Sequence, residues 1–126
     1  MQVSGWGNYP KSSARILYPE SLDDMLKILA NNDNNPMISR GMGRSYGDSS
    51  LAGNIVSNVK LKYRVDFNPN EGIVCCSSGY TLKDILGLYE PLGWFLPVTP
   101  GTKYVTIGGA VASDVHGKNH HVSGSF

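Results

Sequence analysis

The residues best suited to chemistry fall in three short segments. The first is Ser39-Arg40-Gly41-Met42-Gly43-Arg44-Ser45-Tyr46-Gly47-Asp48, followed by Ser49. Gripping a pyrophosphate takes several backbone N–H groups aimed at one point with no side chain in the way. Closely spaced glycines in a tight loop form such a nest. This segment supplies the glycines, two serine hydroxyls and two cations. The alternative is a glycine-rich turn carrying surface arginines. The second segment runs from Pro100-Gly101-Thr102 to Asp114 and contains Thr106-Ile107-Gly108-Gly109-Ala110. A helix beginning near Thr106 would offer free N–H groups and a positive dipole end to a phosphate. Its small residues would let a flat ring or a ribose lie against the backbone, while close helix packing explains them equally well. The third segment, Val115-His116-Gly117-Lys118-Asn119-His120-His121, gathers all three histidines of the chain. Adjacent His120 and His121 cannot easily share one metal, and no cysteine or acidic partner sits at ligand spacing, so no metal site is expected. Histidine and lysine read instead as hydrogen-bond donors or proton carriers around a reacting centre.

The glycine spacing argues against the usual nicotinamide site. That site places Gly-x-Gly-x-x-Gly between a first strand and a helix. Here Gly41, Gly43 and Gly47 span one residue too many. The continuation Asp48-Ser49-Ser50-Leu51-Ala52-Gly53 is loop-like rather than helical.

The elements that must carry these segments are short. Residues 1 to 14 read as a loose arm. Arg15-Ile16-Leu17-Tyr18-Pro19 is a strand ended by proline. Ser21 caps a helix from Leu22, with Asp23 and Asp24 in its positive first turn. Leu22, Met25, Leu26 and Leu29 form its apolar face, and the polar run 31–36 ends it. Met37-Ile38-Ser39 is a short buried strand leading into the first glycine loop. Residues 54–59 and 63–67 alternate as strands, 68–72 turn, and Ile73-Val74-Cys75-Cys76-Ser77 is a buried strand. Thr81 caps a second helix whose apolar positions are Leu82, Ile85, Leu86 and Tyr89, stopped by Gly93. Trp94 to Val98 is apolar and extended, and residues 106 to 114 begin a small-residue helix. The sum is a mixed α and β chain whose loops carry the glycines.

Composition narrows the function classes. The 126 residues suffice for one domain with a modest core. Eleven basic against ten acidic side chains leave no basic surface for a nucleic-acid partner. No apolar run approaches the roughly 18 residues needed to span a bilayer. The start, Met1 to Gly7, has neither a basic stretch nor an apolar core, so no cleaved secretory signal is expected. Neighbouring strand residues point to opposite faces, so Cys75 and Cys76 are poorly placed to bond each other. They read as plain strand residues in a reducing compartment. A cytoplasmic location follows, with peripheral attachment at the membrane as its variant. Fifteen glycines, about 12% against a usual value of about 7%, cluster at the three segments rather than spreading as linker.

Taken together, the segments resemble the FAD-linked oxidases of the vanillyl-alcohol-oxidase type, whose flavin domain is also called p-cresol-methylhydroxylase-type. Within that family they are similar to the oxidase components of decaprenylphosphoryl-ribose 2′-epimerases. The resemblance is carried by Ser4-Gly5-Trp6-Gly7, by Arg40 through Asp48, and by Leu96-Pro97-Val98-Thr99-Pro100-Gly101-Thr102. It continues through Thr106 to Ala112, the His116 to His121 run, and Ser123-Gly124-Ser125-Phe126. It covers essentially the whole chain in the expected order, and the run from His116 is its most specific piece.

The resemblance implies an α+β fold: the N-terminal part, residues 1–126, of a two-lobed FAD-binding domain, with the substrate domain absent from this chain. It implies that Arg40, Gly41, Met42, Gly43, Arg44, Ser45, Tyr46, Gly47, Asp48 and Ser49 wrap the pyrophosphate. Gly101, Thr106, Ile107, Gly108, Gly109, Ser113, Asp114, Val115 and His116 would line the adenosine, ribityl and ring regions. Several members attach FAD through a histidine in the first glycine loop. Tyr46 stands there in this chain, which implies non-covalent FAD. His116, Lys118 and Tyr46 form the implied catalytic set, the first two facing a sugar. Ser113 stands where relatives can carry cysteine, which bears little on function. The implied activity is oxidation of a sugar or polyol hydroxyl, lipid- or nucleotide-linked, by hydride transfer to flavin. A reductase partner or a membrane-associated substrate would go with it. An alditol or aldonolactone oxidase, for which histidine at position 46 would be expected, and a non-catalytic FAD-binding module are the alternatives. The truncated chain alone is expected to bind FAD weakly and to self-associate through exposed apolar surface.

Overall fold

A computed structural model describes residues 1–32 and 35–126. The first departure from expectation comes at once: the loose arm is a hairpin. Gln2–Ser4 (β1) and Lys11–Ser13 (β2) pair antiparallel, with Gln2 opposite Ser13, and Met1 and Ala14 exchange backbone hydrogen bonds. Strands of three residues are too short to show alternation, so nothing in the pattern announces them.

Arg15–Leu17 (β3), Ile38–Arg40 (β4) and Asn54–Ser57 (β5) form a parallel sheet in the order β3-β5-β4. β5 is central, and Ile55, Val56 and Ser57 are all buried, as a parallel strand covered on both faces requires. β4 is an edge strand and only half-buried, unlike the buried strand expected at residues 37–39. Between β3 and β4 runs Leu22–Ala30 (α1), capped by the Ser21 side chain, which accepts from the Asp24 N–H. Its expected apolar face is largely uncovered. Leu22, Leu26 and Leu29 are each more than half exposed, and Met25 and Ile28 are the better-covered side chains. The polar stop read at 31–36 includes Asp33 and Asn34, which lie outside the described residues.

Val65–Asn68 (β6) and Ile73–Cys76 (β7) form an antiparallel pair closed by a turn at Gly72, whose φ of +68° is left-handed. β7 was expected to be buried. With one partner strand it exposes Ile73 and Cys75 and half-covers Val74 and Cys76. Both thiols are free, and burial pushes the Cys76 thiol up from its ordinary value.

Leu82–Tyr89 (α2) starts at a reciprocal cap. The Thr81 hydroxyl accepts from the Asp84 N–H, and the Asp84 carboxylate accepts from the Thr81 N–H. Leu82 and Ile85 point into the core with Ile55, Val56, Leu61, Val98 and Ala110. A short 3-10 turn at Glu90–Leu92 then ends at Gly93, φ +85°. Trp94 to Val98 forms no strand. Val98 is buried, Phe95 is exposed, and Trp94 packs edge-on against Phe67. Ile107–Ala112 (α3) follows its cap at Thr106, and a four-residue helix not anticipated from the sequence, His120–Ser123 (α4), closes the chain. The architecture is the mixed α+β arrangement that the sequence implies.

Candidate functional site

The glycine loop leaves β4 with four of its carbonyls held and its N–H groups from Met42 to Ser50 free. Gly43 and Gly47 adopt left-handed φ values of +64° and +62°. From Met42 to Ser50, no backbone N–H donates to another described residue. The carbonyls of Ser45, Tyr46, Asp48 and Ser50 accept from the Trp6 N–H, the Ser49 hydroxyl, the Leu51 N–H and the Arg40 guanidinium. Unpaired donors along a glycine turn make an anion-binding concavity. Arg40 itself faces inward. Its Nη2 donates to Ser4 O at 2.7 Å and its Nη1 to Ser50 Oγ at 3.0 Å. Burial pulls its pKa below the ordinary arginine value. A Cβ on Gly43 would collide with this guanidinium, so Gly43 answers to backbone conformation and to packing together. Arg44, Asp48 and Ser49 are exposed, Met42 is 38% exposed, and the Tyr46 residue is 75% exposed.

The second segment meets the first at Thr106. This residue is 2% exposed, and a Cβ on Gly41 would collide with its hydroxyl oxygen. The same hydroxyl accepts from Gly109 N–H at 3.1 Å, and Thr106 O accepts from Ala110 N–H at 2.8 Å. Ile107 N–H donates to Tyr80 O at 2.7 Å and Gly108 N–H to Ser78 O at 3.0 Å. The first four N–H groups of α3 are therefore taken within the chain. The expectation that they stand free for a phosphate is corrected. The reason is close packing on the turn before α2, where a Cβ on Gly108 would lie 2.9 Å from Ser78 Cβ, together with the helix's own cap at Thr106. Ile107 contributes instead to an apolar cavity of about 280 Å³ lined also by Phe67, Tyr89, Trp94 and Phe126.

Beyond α3, Ser113 is exposed and Asp114 turns the chain with φ +48°. The Asp114 carboxylate accepts from the Ser125 hydroxyl, and Val115 O accepts from Phe126 N–H at 3.0 Å. His116 bridges to Ser125, and its Nδ1 lies 3.1 Å from Asp114 O. A carbonyl can only accept, so in the neutral ring Nδ1 carries the proton and Nε2 keeps its lone pair. His116, Lys118 and Gly101 line one open groove together with Thr99, Pro97 and His120. No residue of the 40–49 loop lines it. Asn119, which sequence reasoning left without a role, donates to Pro97 O at 3.0 Å, and a Cβ on Gly117 would lie 2.7 Å from Thr99 O. These contacts hold the histidine segment against the 97–101 loop. The rings of His116, His120 and His121 stack edge to face in series, 5.2 and 5.8 Å apart. Ser4, Gly5, Trp6 and Ser50 also brace the glycine loop. In the sequence, Ser4 to Gly7 stood out only through the family resemblance, and no local pattern showed that they brace the loop.

Residues 13–126 match the model of a family described as the FAD binding domain. The chain belongs to that family. Its relatives include a decaprenylphosphoryl-β-D-ribose oxidase from Mycolicibacterium smegmatis, 35% identical over 99% of this chain and 28% of that protein. An uncharacterised Streptomyces coelicolor protein is 59% identical over 36% of this chain and 12% of its own length. Among solved structures, a cholesterol oxidase from Brevibacterium sterolicum superposes with a TM-score of 0.77 at 16% identity, over 92% of this chain and 24% of that one. An alkyldihydroxyacetonephosphate synthase superposes at 0.71 and 18% identity, over 87% and 22%. This FAD-binding domain chain thus has the p-cresol-methylhydroxylase-type fold, and it spans about a quarter of the length of the ribose oxidase and of the two solved structures. The glycine loop fits the family's cofactor. A pyrophosphate offers only acceptors, and the Met42–Ser50 stretch offers unpaired donors.

Proposed function

We propose that this chain grips the pyrophosphate of non-covalent FAD in an oxidoreductase that oxidises a sugar hydroxyl, a lipid-linked one in first place. The observation that carries the reading is the run of unpaired N–H groups on the loop from Met42 to Ser50. The likeness to an enzyme named as an oxidase of decaprenylphosphoryl-ribose supports the substrate class. FAD, when bound, would supply the two-electron redox chemistry for oxidising the carbinol carbon. His116 Nε2, whose lone pair is left free by the bond at Nδ1, takes the hydroxyl proton as the carbonyl forms. Lys118, in the same groove, holds a sugar oxygen by its fixed positive charge. Tyr46 presents a phenol where a histidine would link flavin, so the cofactor is held without a covalent bond.

The test uses the whole protein loaded with FAD and a polyprenyl-phosphate-linked ribose. His116→Ala and Lys118→Ala are expected to keep FAD and to slow stopped-flow bleaching of the flavin by on the order of a hundredfold. Wild-type bleaching in both variants would reject the catalytic assignment. Faster bleaching by a free alditol than by the lipid-linked sugar would reject the substrate class.

A further inference from the structure

The hairpin arm makes contacts that the fold alone does not require. Gly5 is buried, and a Cβ there would lie 2.6 Å from Ser45 O and 3.0 Å from Gly47 O. Trp6 N–H donates to Ser45 O at 2.9 Å. Ser4 O accepts from one arm of the Arg40 fork while the other arm reaches Ser50. Ser45 Oγ and Ser50 Oγ stand 3.2 Å apart, and Arg44 lies over the Trp6 ring at 5.0 Å. Residues Ser4 to Trp6 therefore hold the loop at its middle and, through Arg40, at its far end.

The consequence follows from peptide planarity. In a trans peptide the C=O and the next N–H point in opposite directions, and the only cis bond among the described residues is Tyr9-Pro10. Ser45 C=O is drawn onto the arm, so Tyr46 N–H is sent away from it. Gly47 C=O faces Gly5, which directs Asp48 N–H the same way. A side chain at position 5 would push both carbonyls off. A lysine at position 40 keeps the charge but loses the planar fork that joins Ser4 to Ser50.

We infer that the Ser4–Trp6 arm and Arg40 aim the Tyr46 and Asp48 N–H groups at the cofactor's pyrophosphate, which makes Gly5 and Arg40 positioning residues for FAD. This rests on the reading of the loop as the pyrophosphate grip. The whole protein, stripped of flavin, is titrated with FAD and with riboflavin, which has the ring but no pyrophosphate, and flavin fluorescence is followed. Gly5→Ala and Arg40→Lys are expected to raise the FAD Kd tenfold or more and to leave the riboflavin Kd within twofold. Gly7→Ala, at a position with no atom within 4 Å of its Cβ, is expected to change neither. If Gly5→Ala does not fold, Arg40→Lys decides alone. Wild-type FAD affinity in the variants, or equal loss of FAD and riboflavin, overturns the inference and leaves the FAD reading standing. A wild-type protein that takes up no FAD overturns both.

Discussion

The contact between Gly41 and Thr106 joins the glycine loop to the cap of α3, and a double-mutant cycle measures it. Gly41 lies outside the left-handed φ region, so alanine there is conformationally allowed and its effect is steric. The added Cβ would overlap the Thr106 hydroxyl, which belongs to a residue only 2% exposed and is engaged by the Gly109 N–H. Overpacking of this kind costs about 1–3 kcal/mol. Thr106→Ala removes the helix cap, in which the hydroxyl accepts from the Gly109 N–H, at a typical cost of about 1 kcal/mol. If the sites were independent, the double variant would lose about 2–4 kcal/mol. With the hydroxyl gone, the nearest remaining Thr106 atom to the new methyl is Cβ at 3.3 Å, which a shift of a few tenths of an ångström relieves. The double variant is therefore expected to be about 1–2 kcal/mol more stable than the sum. Urea unfolding of the whole protein, followed by tryptophan fluorescence, gives all four free energies. Additivity within about 0.5 kcal/mol would show that loop and cap do not touch as described.

Acid precipitation of the whole protein is expected to leave yellow flavin in the supernatant, because Tyr46 cannot form the histidyl link; a yellow pellet would contradict this. Thr81→Ala is expected to cost about 1 kcal/mol and Thr81→Ser much less, measured by urea unfolding, since both donor and acceptor of the α2 cap are in place. Burial pushes the Asp84 carboxyl up, but hydrogen bonds from Lys62 and from Thr81 outweigh it, and its pKa falls below the ordinary value. A carboxyl held low in the fold adds stability above about pH 4 that is lost as the pH falls through its folded pKa. Asp84→Asn is expected to flatten the stability profile in that acid range, and an unchanged slope would remove Asp84 from the account.

The division between sequence and tertiary structure is clearest residue by residue. Local chemistry announces itself: Ser21, Thr81 and Thr106 cap the helices that follow, because a short hydroxyl side chain ahead of an apolar run satisfies nearby N–H groups in any context. The clustered glycines likewise marked the loop at 41–47, where two left-handed backbones are needed. What those glycines pack against was not legible. Gly108 meets Ser78 and Gly41 meets Thr106 across many residues of intervening chain, and no local pattern encodes which surfaces will meet. The same holds for the donors of α3, which look free in sequence and are consumed by Tyr80 and Ser78 in the fold. The arm from Ser4 to Trp6 is the extreme case. It joins two three-residue strands that are held by pairing with each other, and it is fixed by backbone contacts to a loop some forty residues away. Local sequence put the glycines in the 41–47 loop, and tertiary contacts decided which way its peptide groups point, because a peptide group's direction is set by whatever holds its carbonyl.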